Sequence, residues 1–377
     1  MNILVIGNGF DIAHGLPTQY KDFLDFIREY YRCRNSNDVF TSNERYKNEI
    51  VRLKTENPKL YYEIETLTKD NAWYLHFDSI YESRMTEGKD GWIDFEREIS
   101  NIIQIIDKFR IQIIKEYERG YGIASLNDWQ IEQLKEIIWG NVHLDYKSVN
   151  FDIYTIQRLK KRLVQDLNKI IRCLEIYLAY CVHIEKCAVL SVVEKLDIQY
   201  VLSFNYTDTY RLLYDKGDKS IKYHHIHGAA RKKSDVGTCN MILGIDEYLN
   251  DLSKNTNNEF VEFKKFFQRI FKGTGNIYTE WIGVHEKNLR ILKNSSNPPT
   301  MNIYIFGHSL DNTDGDVLRN LILQDHTNTT IFYHNREALG KQIANLVAVL
   351  GEDELIKRTN KNTQTIFFKS TKVLPDC

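Results

Sequence analysis

The chain has 377 residues, 42% hydrophobic and 27% charged, with a formal net charge of -1. That length allows a large core in one to three domains, and the balanced charge argues against a nucleic-acid binder that relies on a broad basic field. Six dispersed cysteines (Cys33, Cys173, Cys181, Cys187, Cys239 and Cys377) form no CxxC pair, so spacing excludes a disulfide scaffold and a structural zinc site and suits a reducing, cytoplasmic setting.

The first fifteen residues, MNILVIGNGFDIAHG, read as an apolar strand over Ile3 to Ile6, a tight turn at Gly7-Asn8-Gly9 and a helix start carrying Phe10, Asp11 and His14. A strand that ends in glycines before a helix is one way to bring backbone N–H groups to a phosphate. The motif is shorter than GxGxxG, and its plain alternative is a turn that only packs. Asp11, being anionic, is expected to accept from a ribose hydroxyl or to orient a basic partner such as His14. The opening apolar run is too short for a signal peptide, and no run approaches the length of a membrane span.

Pro17-Thr18 interrupts the first helical attempt, and Thr18 is placed to cap a helix through Tyr20, Phe23, Leu24 and Ile27. Residues 33 to 70 are polar and read as short helices and loop. Trp92, Phe95, Ile99, Ile102, Ile103 and Ile106 recur at helical spacing, with Trp92-Ile93-Asp94-Phe95-Glu96 as a helix start. Leu159, Leu163, Leu167, Ile170, Leu174 and Leu178 mark a long helix over 154–179. Residues 35–190 are therefore expected to be a helix-rich insertion or cap, with 1–34 and 191–377 forming an α/β domain.

Strand character returns at Ile198 to Phe204 and stops at Asn205-Tyr206-Thr207-Asp208. Further strands are expected at Lys222 to Ile226, ending at His227-Gly228, and at Met241 to Ile245. A helix is expected over Glu259 to Phe271, with Lys264, Lys265 and Arg269 on a solvated face and the phenylalanines buried. Met301 to Phe306 reads as a buried strand ending at Gly307-His308-Ser309. A helix over 316–323 and strands over 329–333 and 364–368 complete the pattern. Apolar strands thus break off at Gly7, Asn205, His227 and Gly307. In an open parallel sheet these ends share one edge, where ligands bind.

Asn205 either caps the following helix or points its amide into the cleft, with Tyr206 and Thr207 walling the site. His224, His225 and His227 raise the question of a metal, but no acidic or cysteine partner sits at ligand spacing, so none is expected. His227, before a flexible Gly228, is the best candidate for a general base. Gly307-His308-Ser309 is no nucleophile elbow, because Asp311 stands where the second glycine would be. It fits a turn that binds phosphate or ribose, with Asp311 and Asp314 flanking the pocket or capping the next helix.

The segments IGNGFDIAHGLPT, WIDFE, LSFNYTDT, IHG and FGHSLDNTD, in this order, resemble the AbiH family of bacterial phage abortive-infection proteins from Met1 to about residue 335. Their order is also similar to the sirtuin-like fold of NAD-consuming defence proteins. That resemblance implies a Rossmann-like, sirtuin-like parallel sheet with a large helical insertion and NAD as substrate or ligand. It implies Asn205 and His227 as catalytic residues. The nucleotide would lie against Gly7, Asn8, Gly9, Phe10, Asp11 and His14, and against Tyr206, Thr207, Gly228, Gly307, His308, Ser309 and Asp311. Asn8, Phe10 and Asp11 crowd the loop relative to sirtuins, and the four-cysteine ribbon of the deacetylating members has no counterpart. NAD glycohydrolysis is therefore the expected activity rather than peptide deacetylation. Three alternatives stay open: a nucleotide-sensing defence regulator without turnover, a metal-dependent nuclease using His225, His227, Asp11 and residues 311–316, or a helical interaction protein. A homo-oligomer and a phage-derived activator are the expected partners, with no membrane, and nucleic acid stays open as the less favoured partner.

Overall fold

The computed structural model describes residues 1–35, 44–88, 91–119, 153–217, 220–245, 258–292, 296 and 298–371. The stretch 120–152 of the expected insertion lies outside them. In chain order, β1 (Asn2–Ile6) runs into α1 (Asn8–Ala13). Next come α2 (Tyr20–Asn35), α3 (Glu44–Glu56), α4 (Pro58–Thr68), α5 (Ala72–Thr86), α6 (Phe95–Glu118) and α7 (Ile153–Tyr180). Then follow α8 (Ser191–Glu194), β2 (Tyr200–Ser203), α9 (Thr209–Tyr214), β3 (Lys222–His225), α10 (Lys265–Phe271) and α11 (Tyr278–Ile291). The rest is β4 (Met301–Phe306), α12 (Gly315–Ile322), β5 (Thr327–Tyr333), α13 (Arg336–Leu350), α14 (Glu352–Thr359) and β6 (Ile366–Ser370). No helix among the described residues is long and apolar enough to cross a membrane.

The chain divides into two compact units. The first comprises Met1–Thr18, Val182–Ala229 and Gly273–Cys377. It holds a six-stranded sheet in the order β3-β2-β1-β4-β5-β6, with every pair parallel. This is the strand order of doubly wound, Rossmann-like sheets, whose switch point lies between β1 and β4. β1 is central and covered on both faces, which is why ILVI is apolar without alternation. Ile3 and Val5 pack with Leu202, Ile303, Ile305 and Leu318 on one side. Leu4 and Ile6 pack with Val201, Tyr210 and Phe306 on the other, as period-two geometry requires.

The second unit comprises Gln19–Cys181 and Ala230–Lys272. Residues 19–34 and 230–272 therefore group with the helices, where the sequence pattern places them with the sheet. The reason for the first segment is the buried face of α2: Phe23, Phe26 and Tyr30 pack among Tyr177, Phe95, Tyr46 and Tyr61. Asp94 caps α6, its Oδ1 accepting the Arg97 N–H at 3.2 Å. The expected strand at Met241 to Ile245 does not form. There the Gln268 side chain takes the place of a ladder partner, accepting from the Leu243 N–H (3.2 Å) and donating to its carbonyl (3.0 Å). The helix around it is inverted relative to expectation. Lys264, Lys265 and Arg269 are buried, while Phe266 and Phe271 are exposed. Burial of Lys265 is sustained by Glu96, 2.8 Å away.

His76, on α5, is buried beside Trp73 and Phe77, and burial pushes its imidazole down to about 4. The folded chain holds it neutral, whereas the unfolded chain protonates it below about pH 6.5. Its contribution is therefore present above pH 6.5 and lost as pH falls toward 4. His76→Phe is expected to remove about 3 kcal/mol of acid destabilisation between pH 7 and pH 4. Urea unfolding at both pH values measures this, and an equally steep pH dependence in the variant contradicts it.

Candidate active site at the strand ends

Because the sheet is parallel, the C-terminal ends of β3, β2, β1 and β4 emerge side by side along one edge. Pairing continues past the strands: the Phe204 N–H donates to the Ile6 carbonyl (2.9 Å) and the Ile226 N–H to the Ser203 carbonyl (3.0 Å). Ser203 is in register with His225. Beyond this pair both chains leave the sheet, with Asn205 in a bend after β2 and His227 in the turn after β3.

The glycines at this edge pack against one another. The Gly9 N–H donates to the Gly307 carbonyl at 2.8 Å, and the Gly7 N–H to that of Phe306 at 3.2 Å. A Cβ on Gly307 would lie 2.1 Å from the Phe10 nitrogen, and one on Gly9 would lie 2.8 Å from Gly307 Cα. The turns after β1 and β4 are thus interlocked backbone to backbone, and the Gly9 N–H is already engaged. Phe10 is fully buried, against Phe306, Tyr210 and Tyr214, so it belongs to the core and not to a ligand surface. Asn8 is exposed. Its Oδ1 accepts from the Thr18 hydroxyl at 2.8 Å, a contact that replaces the expected helix cap.

His14 donates through Nδ1 to the Phe10 carbonyl (2.7 Å). Its Nε2 is then the acceptor for the Tyr214 hydroxyl, also at 2.7 Å. Burial pushes this imidazole down, which preserves the neutral tautomer. Tyr214 also accepts the Leu190 N–H. Both ring nitrogens of His14 are engaged within the fold.

Asp11 is buried and receives the Thr207 hydroxyl (2.5 Å) and the Thr209 hydroxyl (2.7 Å) on its two oxygens. Burial pushes its carboxyl up, and Thr207, Thr209 and Asn205 pull it partly back. Asp11 therefore ties α1 to the segment Asn205-Tyr206-Thr207-Asp208-Thr209. Neither a ribose nor a basic partner is needed to explain it.

Asn205 is only 5% exposed. Its carbonyl accepts from His225 Nδ1 at 3.1 Å. The other ring nitrogen of His225 donates to Asp208 Oδ1 at 2.9 Å, which holds the Asp208 carboxyl below its usual value. His225 is thereby committed to Asn205 and Asp208. The Asn205 amide faces Asp11 closely enough to favour its charge, yet Nδ2 completes no hydrogen bond of good geometry. A buried amide donor in that state costs about 1–3 kcal/mol, so it calls for a functional account.

His227, His308 and Asp314 form a second buried cluster. His227 Nε2 lies 3.2 Å from Asp314 Oδ1, and His308 Nε2 lies 3.4 Å from Asp314 Oδ2. The Phe204 ring stands beside both imidazoles, at centroid distances of 5.4 and 4.3 Å. α13 secures the turn beneath. Gln342 Nε2 donates to the His308 carbonyl (3.4 Å) and Asn345 Nδ2 to that of Ser309 (2.8 Å). Ser309 is exposed. Asp311 caps the short turn Asn312–Asp314 through the Thr313 N–H. Gly228 closes the turn after β3 at φ +76°, its N–H donating to His225. Tyr206 is half-buried.

The sequence pattern thus brings Asn205, His227, His308 and Asp11 to one edge. The pairing of both histidines with Asp314 was invisible in it. Among the described residues, no three His, Cys, Asp or Glu side chains are arranged to hold a metal ion. The assembled chemistry is a buried amide donor, an imidazole backed by a carboxylate, and two buried carboxylates that favour developing positive charge.

No curated protein and no solved structure matches the chain. The motifs at these strand ends lie within the region, residues 3–334, that matches the family described as bacteriophage abortive infection AbiH. With most of its length matched, the chain belongs to the AbiH family, and that membership supports a role in phage defence.

Proposed function

We propose that the strand-end site hydrolyses the nicotinamide–ribose bond of NAD. The observation that carries this reading is the buried Asn205 Nδ2, which faces Asp11 but completes no hydrogen bond of good geometry, on the sheet edge that also carries His227. The order of the motifs, similar to sirtuin-like NAD-consuming proteins, supports it. The nicotinamide ribose lies between Asn205 and His227. The glycosidic bond breaks with its electron pair going to the pyridinium nitrogen, so nicotinamide leaves neutral and the ribose becomes oxocarbenium-like. Water adds at the same carbon, and its proton passes to His227. The buried carboxylates of Asp11 and Asp314 favour the positive ribose. With the Gly9 N–H engaged, the pyrophosphate lies farther out, near exposed Asn8 and Ser309. A homo-oligomer and release by a phage component belong to the same reading.

The test is nicotinamide release by purified protein, alone and with lysate of phage-infected cells, beside Asn205→Ala and His227→Ala. Each variant is expected to lose about 100-fold or more in turnover. Absence of turnover in the native protein under both conditions, or undiminished turnover in both variants, overturns the assignment.

A further inference from the structure

Asp208 occupies the N-cap of α9, where an aspartate ordinarily accepts from backbone N–H groups of the first turn. Its side chain makes no such bond. The carboxylate turns instead to His225 Nε2 at 2.9 Å, with Arg211 Nε 3.8 Å from the same oxygen. The second ring nitrogen of His225, Nδ1, faces the Asn205 carbonyl at 3.1 Å. A carbonyl and a carboxylate only accept, so both contacts are satisfied when the ring carries a proton on each nitrogen. His225 is then a cation held between two acceptors, and its bond to Asn205 is stronger than a neutral imidazole would make. The same charge favours the ionised form of Asp11.

Asn205 is held from its other side as well. Its N–H donates to Ser203 Oγ, and the Ser203 hydroxyl donates to the Asn205 carbonyl, both at 3.1 Å. Ser203 and His225 face each other in register, so one rung of the sheet supplies all three bonds. The backbone of Asn205 is thus fixed on both sides of its Cα. Its amide has no such hold, since Nδ2 completes no hydrogen bond of good geometry. The direction of the amide is therefore set by the backbone that carries it, which is the kind of support a site residue needs.

We propose that His225, oriented and charged by Asp208, is a positioning residue that pins the Asn205 carbonyl and so holds the Asn205 amide in place at the strand-end site. This rests on the reading of Asn205 as a catalytic residue in NAD cleavage. Neither His225 nor Asp208 needs to touch substrate. A small misplacement of a group that acts on the reacting atoms costs far more in turnover than in affinity. The pair therefore governs the chemical step rather than binding.

The test joins nitrogen-15 NMR of the full-length chain, without substrate, to turnover. With histidine labelled, and His225 identified from the spectrum of His225→Phe, both ring nitrogens of His225 are expected to be protonated at neutral pH. In Asp208→Asn the ring is expected to become neutral with its proton on Nδ1, since the Asn205 carbonyl still demands one. With asparagine labelled, and the Asn205 side chain identified from Asn205→Ala, the hydrogens of that buried amide are expected to exchange slowly with water. His225→Phe keeps a ring in place but offers no donor. It is expected to speed that exchange at least tenfold and to lower turnover at least tenfold, with the dissociation constant for NAD changed less than threefold. His225→Asn restores a donor near the position of Nδ1 and is expected to recover most of both losses. Unchanged Asn205 exchange in His225→Phe overturns the proposal, and so does unchanged turnover where the native chain cleaves NAD. A singly protonated His225 in the native chain overturns it too, as does a His225→Asn chain no better than His225→Phe. The spectra need no substrate, so the two readings fail separately. Amide exchange that responds to His225 in a chain that never cleaves NAD removes the hydrolase reading alone. NAD cleavage with an Asn205 amide indifferent to His225 removes the positioning role alone.

Discussion

Gly307→Ala is expected to destabilise the sheet unit by about 4 kcal/mol or more, enough to leave little folded protein. The added Cβ would meet the Phe10 nitrogen at 2.1 Å and the Gly9 carbonyl carbon at 2.4 Å. Both are backbone atoms, so no side-chain rotation relieves the clash. The residue also sits at φ +69°, which adds strain for any residue with a Cβ. Relief would require the turns after β1 and β4 to separate, breaking the bond from the Gly9 N–H to the Gly307 carbonyl. Gly340 provides the control. It lies within α13, with nothing within 4 Å of its Cβ position. Gly340→Ala is expected to stabilise by about 0.5–1 kcal/mol through helix propensity alone. Chemical denaturation of the three proteins measures the contrast. A Gly307→Ala protein within 1 kcal/mol of the native chain would mean that the turns are not interlocked.

Asp11→Ala is the second substitution with a large expected effect, about 3 kcal/mol of stability. It strips two buried hydroxyls, those of Thr207 and Thr209, of their shared acceptor. Asn205 loses its anchor in the same step, so turnover is expected to fall with stability. Asp11→Asn retains one acceptor oxygen and is expected to lose about half as much. The pH dependence has a definite sign. Burial raises the Asp11 carboxyl, so the folded chain holds this proton more tightly than the unfolded chain does. Its contribution is full below the unfolded value near 3.9 and declines as pH rises through the raised folded value. The stability advantage of the native chain over Asp11→Asn should therefore shrink from pH 4 upward, as read from denaturation midpoints. An advantage that grows with pH would mean that the hydroxyls outweigh burial and hold the carboxylate charged.

The sheet was legible where burial on both faces writes itself into sequence. Met301–Phe306 forms the strand that MNIYIF predicts, and its neighbour β1 runs only one residue beyond the Ile3 to Ile6 expectation. The ends of these strands were legible for the same reason, because the apolar run stops where the layers stop covering it. α11, α13 and α14 were overlooked, although α13 carries local signals: Asn335 caps it through the Ala338 N–H, and Gly351 ends it. Other features depend on partners far along the chain. Met241 to Ile245 has strand composition, yet Gln268 satisfies its backbone. Lys265 is buried because Glu96 meets it. IGNGFD looks like a phosphate loop, but its glycines answer to Gly307, 298 residues beyond Gly9. Asp314 reads as a helix-start residue until the fold brings His227 and His308 to its two oxygens.

The place of β1 at the centre of the sheet sets an order of events during synthesis. Its two neighbours are β2, which ends at Ser203, and β4, which ends at Phe306. At about 5–20 residues per second, β4 emerges roughly 15–60 s after β1. Through that interval the chain's most apolar strand is a nascent segment that lacks at least one of its two final neighbours. Residues 19–181, which belong to the helical unit, are completed first. The strand that carries the first wall of the site is thus the earliest made and among the last secured, a topology that favours slow maturation and chaperone engagement of the newborn chain.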